Sequence, residues 1–85
     1  MKAVVQKDVG GPGVLYLDKV DPPSLTDDEV MIRVEAVSVN RADTLQRRGL
    51  YPPPAGVSPV LGLECAGHVT QVGRHVSNIA VGDQV

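Results

Sequence analysis

Val30-Met31-Ile32-Arg33-Val34-Glu35-Ala36-Val37-Ser38-Val39 runs directly into Asn40-Arg41-Ala42-Asp43. Val30, Ile32, Val34 and Ala36 share one face of an extended chain while Arg33 and Glu35 share the other, which is the two-residue period of a strand. Val37 and Val39 are apolar on the opposite parity. A bulge or strong bend near residues 36–38 reconciles the two stretches, as expected of a strand in a curved sheet or barrel. The helix signals come next. Asn40 stands at an N-cap position, Asp43 follows three residues later to return a hydrogen bond, and Gly49 lies beyond the last turn. These predict a two-turn helix over 40–48, with Arg47 and Arg48 at the end that the helix dipole makes negative.

Outward from this centre the chain predicts further strands. Residues 1–6 form one, and after the turn cluster Gly10-Gly11-Pro12-Gly13 residues 15–20 return as its pair, with Leu15 and Leu17 alternating against Tyr16 and Asp18. Pro22 and Pro23 end that strand, and 24–28 is polar and turn-like. Residues 51–59 hold Pro52, Pro53, Pro54 and Pro59 and read as an ordered surface loop. Residues 63–72 read as the next strand, with Leu63, Cys65, Gly67 and Val69 on one side and Ala66, His68 and Thr70 on the other. After turns at 73–77 and at Gly82-Asp83, Gln84 and Val85 look like the first residues of a further strand. The expectation is a mainly β chain with one short helix, a piece of something larger.

Composition narrows the class. A chain of 85 residues buries roughly 60% of its unfolded surface, enough for one small domain. Valine dominates its apolar content and there is no Phe and no Trp, so the core is aliphatic and β-branched, suited to a pleated surface. Eight basic and 10 acidic residues give a net charge of −2, leaving no basic field for nucleic acid. The single cysteine excludes an internal disulfide, residues 1–13 lack the apolar core of a signal peptide, and no stretch approaches the ~18 apolar residues of a membrane span. The cytoplasm is the default location.

Two glycine patterns carry no nucleotide claim. Gly11-Pro12-Gly13 begins like a dinucleotide fingerprint, but Tyr16 occupies the next glycine position and no helix follows. Gly62 and Gly67 have phosphate-loop spacing, yet His68 and Val69 stand where Lys and Ser or Thr are needed. Such glycines more simply let backbone or a ligand come close.

Val39-Asn40-Arg41-Ala42-Asp43, Gly49-Leu50-Tyr51-Pro52-Pro53-Pro54, Gly62-Leu63-Glu64-Cys65-Ala66-Gly67-His68-Val69 and Gly82-Asp83-Gln84-Val85, with the Met1-Lys2-Ala3-Val4 opening, carry a resemblance that covers nearly all of the chain. It resembles the start of a medium-chain dehydrogenase/reductase of the zinc-independent quinone oxidoreductase branch. The Asn-Arg-Ala-Asp element with the Tyr-Pro-Pro-Pro loop is similar to p53-inducible quinone reductases and their relatives.

The resemblance implies that residues 1–85 are the N-terminal part of a GroES-like, partly open β-barrel, incomplete at its C-terminus. This barrel forms the catalytic domain, and a Rossmann domain that holds NADPH is absent from this chain. Zinc dehydrogenases of the wider family carry Cys where this chain has Asn40 and His where it has Leu63. An amide and a hydrocarbon do not supply the three ligands that catalytic zinc needs, and Cys65 beside Glu64 does not restore them. The implied chemistry is metal-free hydride transfer to a quinone or enone, with the protein positioning the reactants.

By the same resemblance Asn40 and Tyr51 are the catalytic candidates, and Asn40, Asp43 and Gln46 the cofactor-binding ones. Tyr51 would bond a developing oxyanion, and Asn40 would orient the carboxamide or ribose. A homodimer is implied for the complete protein, and no activity for residues 1–85 alone. Plainer roles stand beside these. Asn40 is a good N-cap, worth about 1 kcal/mol, Asp43 its capping partner, and Tyr51 a side chain packed on the proline loop. Glu64 supports the cleft or makes an ion pair, His68 is a satisfied half-buried strand residue, and Arg41, Arg47 and Arg48 form a solvated helix face. A truncated, non-catalytic interaction module is the alternative function. A co-chaperonin role rests on fold likeness alone.

Overall fold

The computed structural model describes residues 1–85. The chain forms β1 (Lys2–Gln6), β2 (Leu15–Lys19), β3 (Val30–Val37), α1 (Arg41–Arg47) and β4 (Cys65–Val72), with a 3-10 turn at Pro12–Val14 before β2. It is mostly strand with one α-helix, as the sequence predicts. The strands make two open antiparallel pairs, β1 with β2 and β3 with β4.

The chain resolves into two compact units, Met1–Pro22 with Val39–Leu63, and Pro23–Ser38 with Glu64–Val85. Composition tells how much apolar surface a chain has, but not which stretches gather it, and each unit here owns only one strand pair.

In the first unit β1 and β2 pair with Val4 opposite Leu17 and Val5 opposite Tyr16. The Met1 amine donates to the Val20 carbonyl at 2.8 Å and the Val20 N–H returns a bond to Met1 at 2.8 Å, fixing the open end of the ladder. The predicted alternation does not produce a covered face, because Leu17 stays 71% exposed. Helix α1 begins in a capping box between Asn40 and Asp43, in which the Asn40 N–H donates to Asp43 Oδ2 at 2.8 Å. It ends in a Schellman motif. The Gly49 N–H donates to the Gln46 carbonyl at 3.0 Å and the Leu50 N–H to the Leu45 carbonyl at 2.9 Å, so the last turn's acceptors are satisfied. Gly49 has φ +81°, a conformation that side chains other than glycine's rarely tolerate.

The turn after β1 closes on the same helix end. The Gly10 N–H donates to the Arg47 carbonyl at 2.9 Å, and Arg47 Nε donates back to the Gly10 carbonyl at 3.0 Å. Arg47 is therefore half-buried, which corrects its place on a solvated helix face; Arg41 and Arg48 are exposed as expected.

In the second unit the register of β3 with β4 shifts between Met31 and Ile32 and again between Val34 and Ala36, where Glu35 has no partner. The second shift is the predicted bulge, one residue earlier than expected. Gly67 explains its place. A Cβ on Gly67 would lie 2.1 Å from the Arg33 carbonyl oxygen, so the two backbones approach as only glycine allows. On its other side β4 meets the end of the chain. Gly67 and Val85 exchange N–H···O bonds at 2.9 Å, and the Val69 N–H donates to the Asp83 carbonyl at 2.9 Å. Gln84 bridges His68, so the predicted strand start is present as a bridge. Val69, between these neighbours, is the buried hydrophobic residue of the chain at 2% exposure. Val34, Val37, Val81 and Val85 remain exposed. No helix is long and apolar enough to cross a membrane.

Candidate functional site

Three of the four residues expected at the site lie on helix α1 or its cap, and Tyr51 lies just past the helix in the proline-rich loop. Asn40, half-buried, is extended at φ −116°, ψ 160° as the N-cap. Its structural role is established by the capping box, in which it keeps helix N–H groups paired where no preceding carbonyl exists.

Asp43 is 7% exposed, the one buried charged residue. Its carboxylate is held by backbone donors: Oδ2 takes the Asn40 N–H at 2.8 Å and Oδ1 the Gly62 N–H at 3.1 Å. Two charge-assisted bonds compensate its burial. Gln46, half-buried, donates through Nε2 to the Pro59 carbonyl at 3.0 Å. Both residues thus make their bonds inside the fold. Tyr51 is 51% exposed and its hydroxyl has no hydrogen-bond partner within the chain. The helix brings together Asn40, Asp43 and Gln46, and its C-terminal motif hands the chain to Tyr51 by way of Leu50.

The second unit carries its own feature, an open depression of about 440 Å³ lined by Ala36, Val37, Ser38, Glu64, Cys65 and Ala66. The Ser38 hydroxyl donates to Glu64 Oε1 there. Within residues 1–85 Glu64 thus bonds a hydroxyl. Cys65 is an exposed free thiol. His68 Nδ1 lies 2.6 Å from Glu35 Oε1, so His68 is a satisfied half-buried strand residue as expected. No group of three or more His, Cys, Asp or Glu side chains in residues 1–85 is arranged so that it could hold a metal ion.

Sequence reasoning missed Ser38, the Gly62 N–H and the Pro59 carbonyl. Ser38 carried one usable signal: a polar residue amid valines at the parity change of its strand. The two backbone groups carried none, since any residue presents them.

Residues 26–85 match the alcohol dehydrogenase GroES-like domain. The chain belongs to that family. Among relatives of this GroES-like domain is a quinone oxidoreductase of Salmonella typhimurium, 42% identical over 76 residues, which cover 89% of this chain and 23% of the relative. An NADPH-dependent alkenal/one oxidoreductase of Arabidopsis thaliana chloroplasts is 36% identical over 87 residues, covering 100% of this chain and 22% of the relative. Among solved structures, the Escherichia coli quinone oxidoreductase complexed with NADPH superposes with a TM-score of 0.86 at 37% identity, over 99% of this chain and 26% of that one. The chain therefore spans about a quarter of the length of each of these three proteins.

Proposed function

We propose that these residues are the N-terminal portion of the catalytic domain of an NADPH-dependent oxidoreductase that delivers hydride to quinones or activated alkenes without a metal. The observation that carries this reading is the Tyr51 hydroxyl. It is half exposed, unbonded within the chain, and set on a loop whose two ends are tied to one helix. A donor so placed is available to the oxygen that gains charge as a quinone or enone is reduced.

NADPH, when bound, supplies the hydride. Tyr51 donates its hydroxyl proton in a hydrogen bond to the acceptor's carbonyl oxygen. Asn40 offers an amide with both a donor and an acceptor, suited to the carboxamide or ribose of the cofactor; this assignment rests on the family likeness. Asp43, buried and already bonded to two backbone N–H groups, fits a direct cofactor contact poorly. The metal-free character is supported by the side chains at Asn40 and Leu63, neither of which ligates zinc. Placement of the cofactor mainly on a Rossmann domain outside residues 1–85, a homodimeric assembly and a cytoplasmic location rest on family likeness.

NADPH oxidation followed at 340 nm with a small benzoquinone or an alkenal tests the activity in the complete polypeptide, with zinc measured on the same sample. Turnover that survives chelation is expected. Failure to oxidise NADPH with either acceptor, or stoichiometric zinc whose removal abolishes turnover, overturns the reading.

A second reading, a non-catalytic interaction module, is favoured by the small share of apolar side chains that residues 1–85 cover, with Leu17, Val37 and Leu63 all above half exposed. Exposed apolar surface of this kind marks contact with further protein. Intact mass of the native protein separates the two: about 9.0 kDa supports the module, and a mass several times larger supports the enzyme.

A further inference from the structure

We infer that Asp43 and Gln46 are positioning residues, a two-point clasp by which helix α1 holds the Tyr51-bearing loop at its far end while the Schellman motif holds it at the near end. The inference rests on the proposed reductase reading for its catalytic consequence, and on hydrogen bonds alone for the clasp itself.

The loop leaves the helix with the Gly49 and Leu50 N–H groups bonded to the Gln46 and Leu45 carbonyls at 3.0 and 2.9 Å. It returns with the Pro59 carbonyl accepting from Gln46 Nε2 at 3.0 Å and the Gly62 N–H donating to Asp43 Oδ1 at 3.1 Å. Asp43 reaches 19 positions along the chain for that bond, and its other oxygen is fixed by Asn40. A carboxylate is acceptor-only, and both oxygens here face backbone donors; a buried Asp43 held in this way is a rigid anchor. Between the tethers Pro52, Pro53, Pro54 and Pro59 lock φ and remove chain freedom. Fixed ends and a stiff middle leave the Tyr51 backbone little room to wander, and a displacement of about 1 Å costs as much as 100-fold in rate.

The test compares Asp43→Asn and Gln46→Met, each alone and combined with Tyr51→Phe, in the complete polypeptide. Gln46→Met removes one donor at nearly constant shape and keeps the test open if Asp43→Asn does not fold. Expected are an NADPH KM within about twofold of the parent, a quinone kcat/KM lowered about tenfold or more, and double variants no slower than Tyr51→Phe alone, because both changes act through one hydroxyl. Proteinase K should also cleave within residues 49–62 several-fold faster in both variants. An NADPH KM raised tenfold, or effects that multiply with Tyr51→Phe, would make these residues direct ligands and overturn the inference. Should the parent show no turnover, the reductase reading fails and cleavage alone judges the clasp: faster cutting supports it, unchanged cutting overturns it.

Discussion

The backbone of Gly67 passes Arg33 so closely that a Cβ added to Gly67 would sit 2.1 Å from the Arg33 carbonyl oxygen. Gly67 is also bonded to Val85 on the opposite edge, so β4 is not free to shift away. Gly67→Ala should therefore destabilise the protein by about 3 kcal/mol, at the upper end of overpacking costs. A chemical denaturation midpoint unchanged from the parent would show that the strands separate at little cost.

Gly49 makes a different demand. With φ +81° and Val9 side-chain atoms 3.0 to 3.4 Å from a built Cβ, Gly49→Ala carries both a backbone and a contact penalty, about 1–2 kcal/mol from the left-handed conformation alone. Val9→Ala in the same chain should relieve the part of the contact made by the two Val9 methyl groups, leaving the Val9 Cβ at 3.2 Å and the backbone part in place. Full recovery in the double variant would mean that φ is not what selects glycine here.

Asn40 has two roles that one substitution separates. Ser caps a helix about as well as Asn, so Asn40→Ser should keep thermal stability within about 0.5 kcal/mol of the parent while removing the amide proposed to meet the cofactor. The expected result is a raised KM for NADPH at unchanged melting temperature. A variant with parent kinetics would reduce Asn40 to a cap.

Tyr51→Phe removes the hydroxyl and leaves the ring. If that hydroxyl stabilises the developing oxyanion, kcat with a quinone should drop by about 100-fold, with NADPH binding little changed in a fluorescence titration. Equal turnover by the phenylalanine variant would move the oxyanion-stabilising role elsewhere.

Glu29 offers a pH prediction. Its carboxylate accepts the Thr26 hydroxyl at 2.6 Å and the Thr26 N–H at 3.2 Å, and the hydroxyl bond, followed by the backbone bond, holds its pKa below the ordinary glutamate value. A lowered folded pKa means that the interaction is fully present above the unfolded value, near 4.3, and is lost as pH falls through the folded one. Thr26→Val should raise the Glu29 pKa towards the ordinary glutamate value, read from its carboxyl carbon shift. Identical titration curves in the two proteins would exclude the hydroxyl as the cause.

Features whose signals are local were legible in the sequence. Asn40, Asp43 and Gly49 announce the start and stop of α1 because capping chemistry is completed within a few residues, and the helix forms as Arg41–Arg47 between them. The parity change in β3 announced its bulge, but Glu35 and not Ala36 is the extra residue, since the position is set by the approach of Gly67 from another strand. The bond from Ser38 to Glu64 spans 26 positions and that from Asp43 to Gly62 spans 19; no periodicity encodes such a partner. Arg47 looked solvated for the same reason: its acceptor, the Gly10 carbonyl, lies 37 positions away.

The two units are threaded through one another in chain order, since Met1–Pro22 rejoins Val39–Leu63 and Pro23–Ser38 rejoins Glu64–Val85. One break in the polypeptide between residues 22 and 64 thus severs at least one of them, and any break between 23 and 63 severs both. Neither half can be released whole by a protease or subcloned as a contiguous gene segment without carrying part of the other, and on the ribosome the second cannot close until the first is already complete.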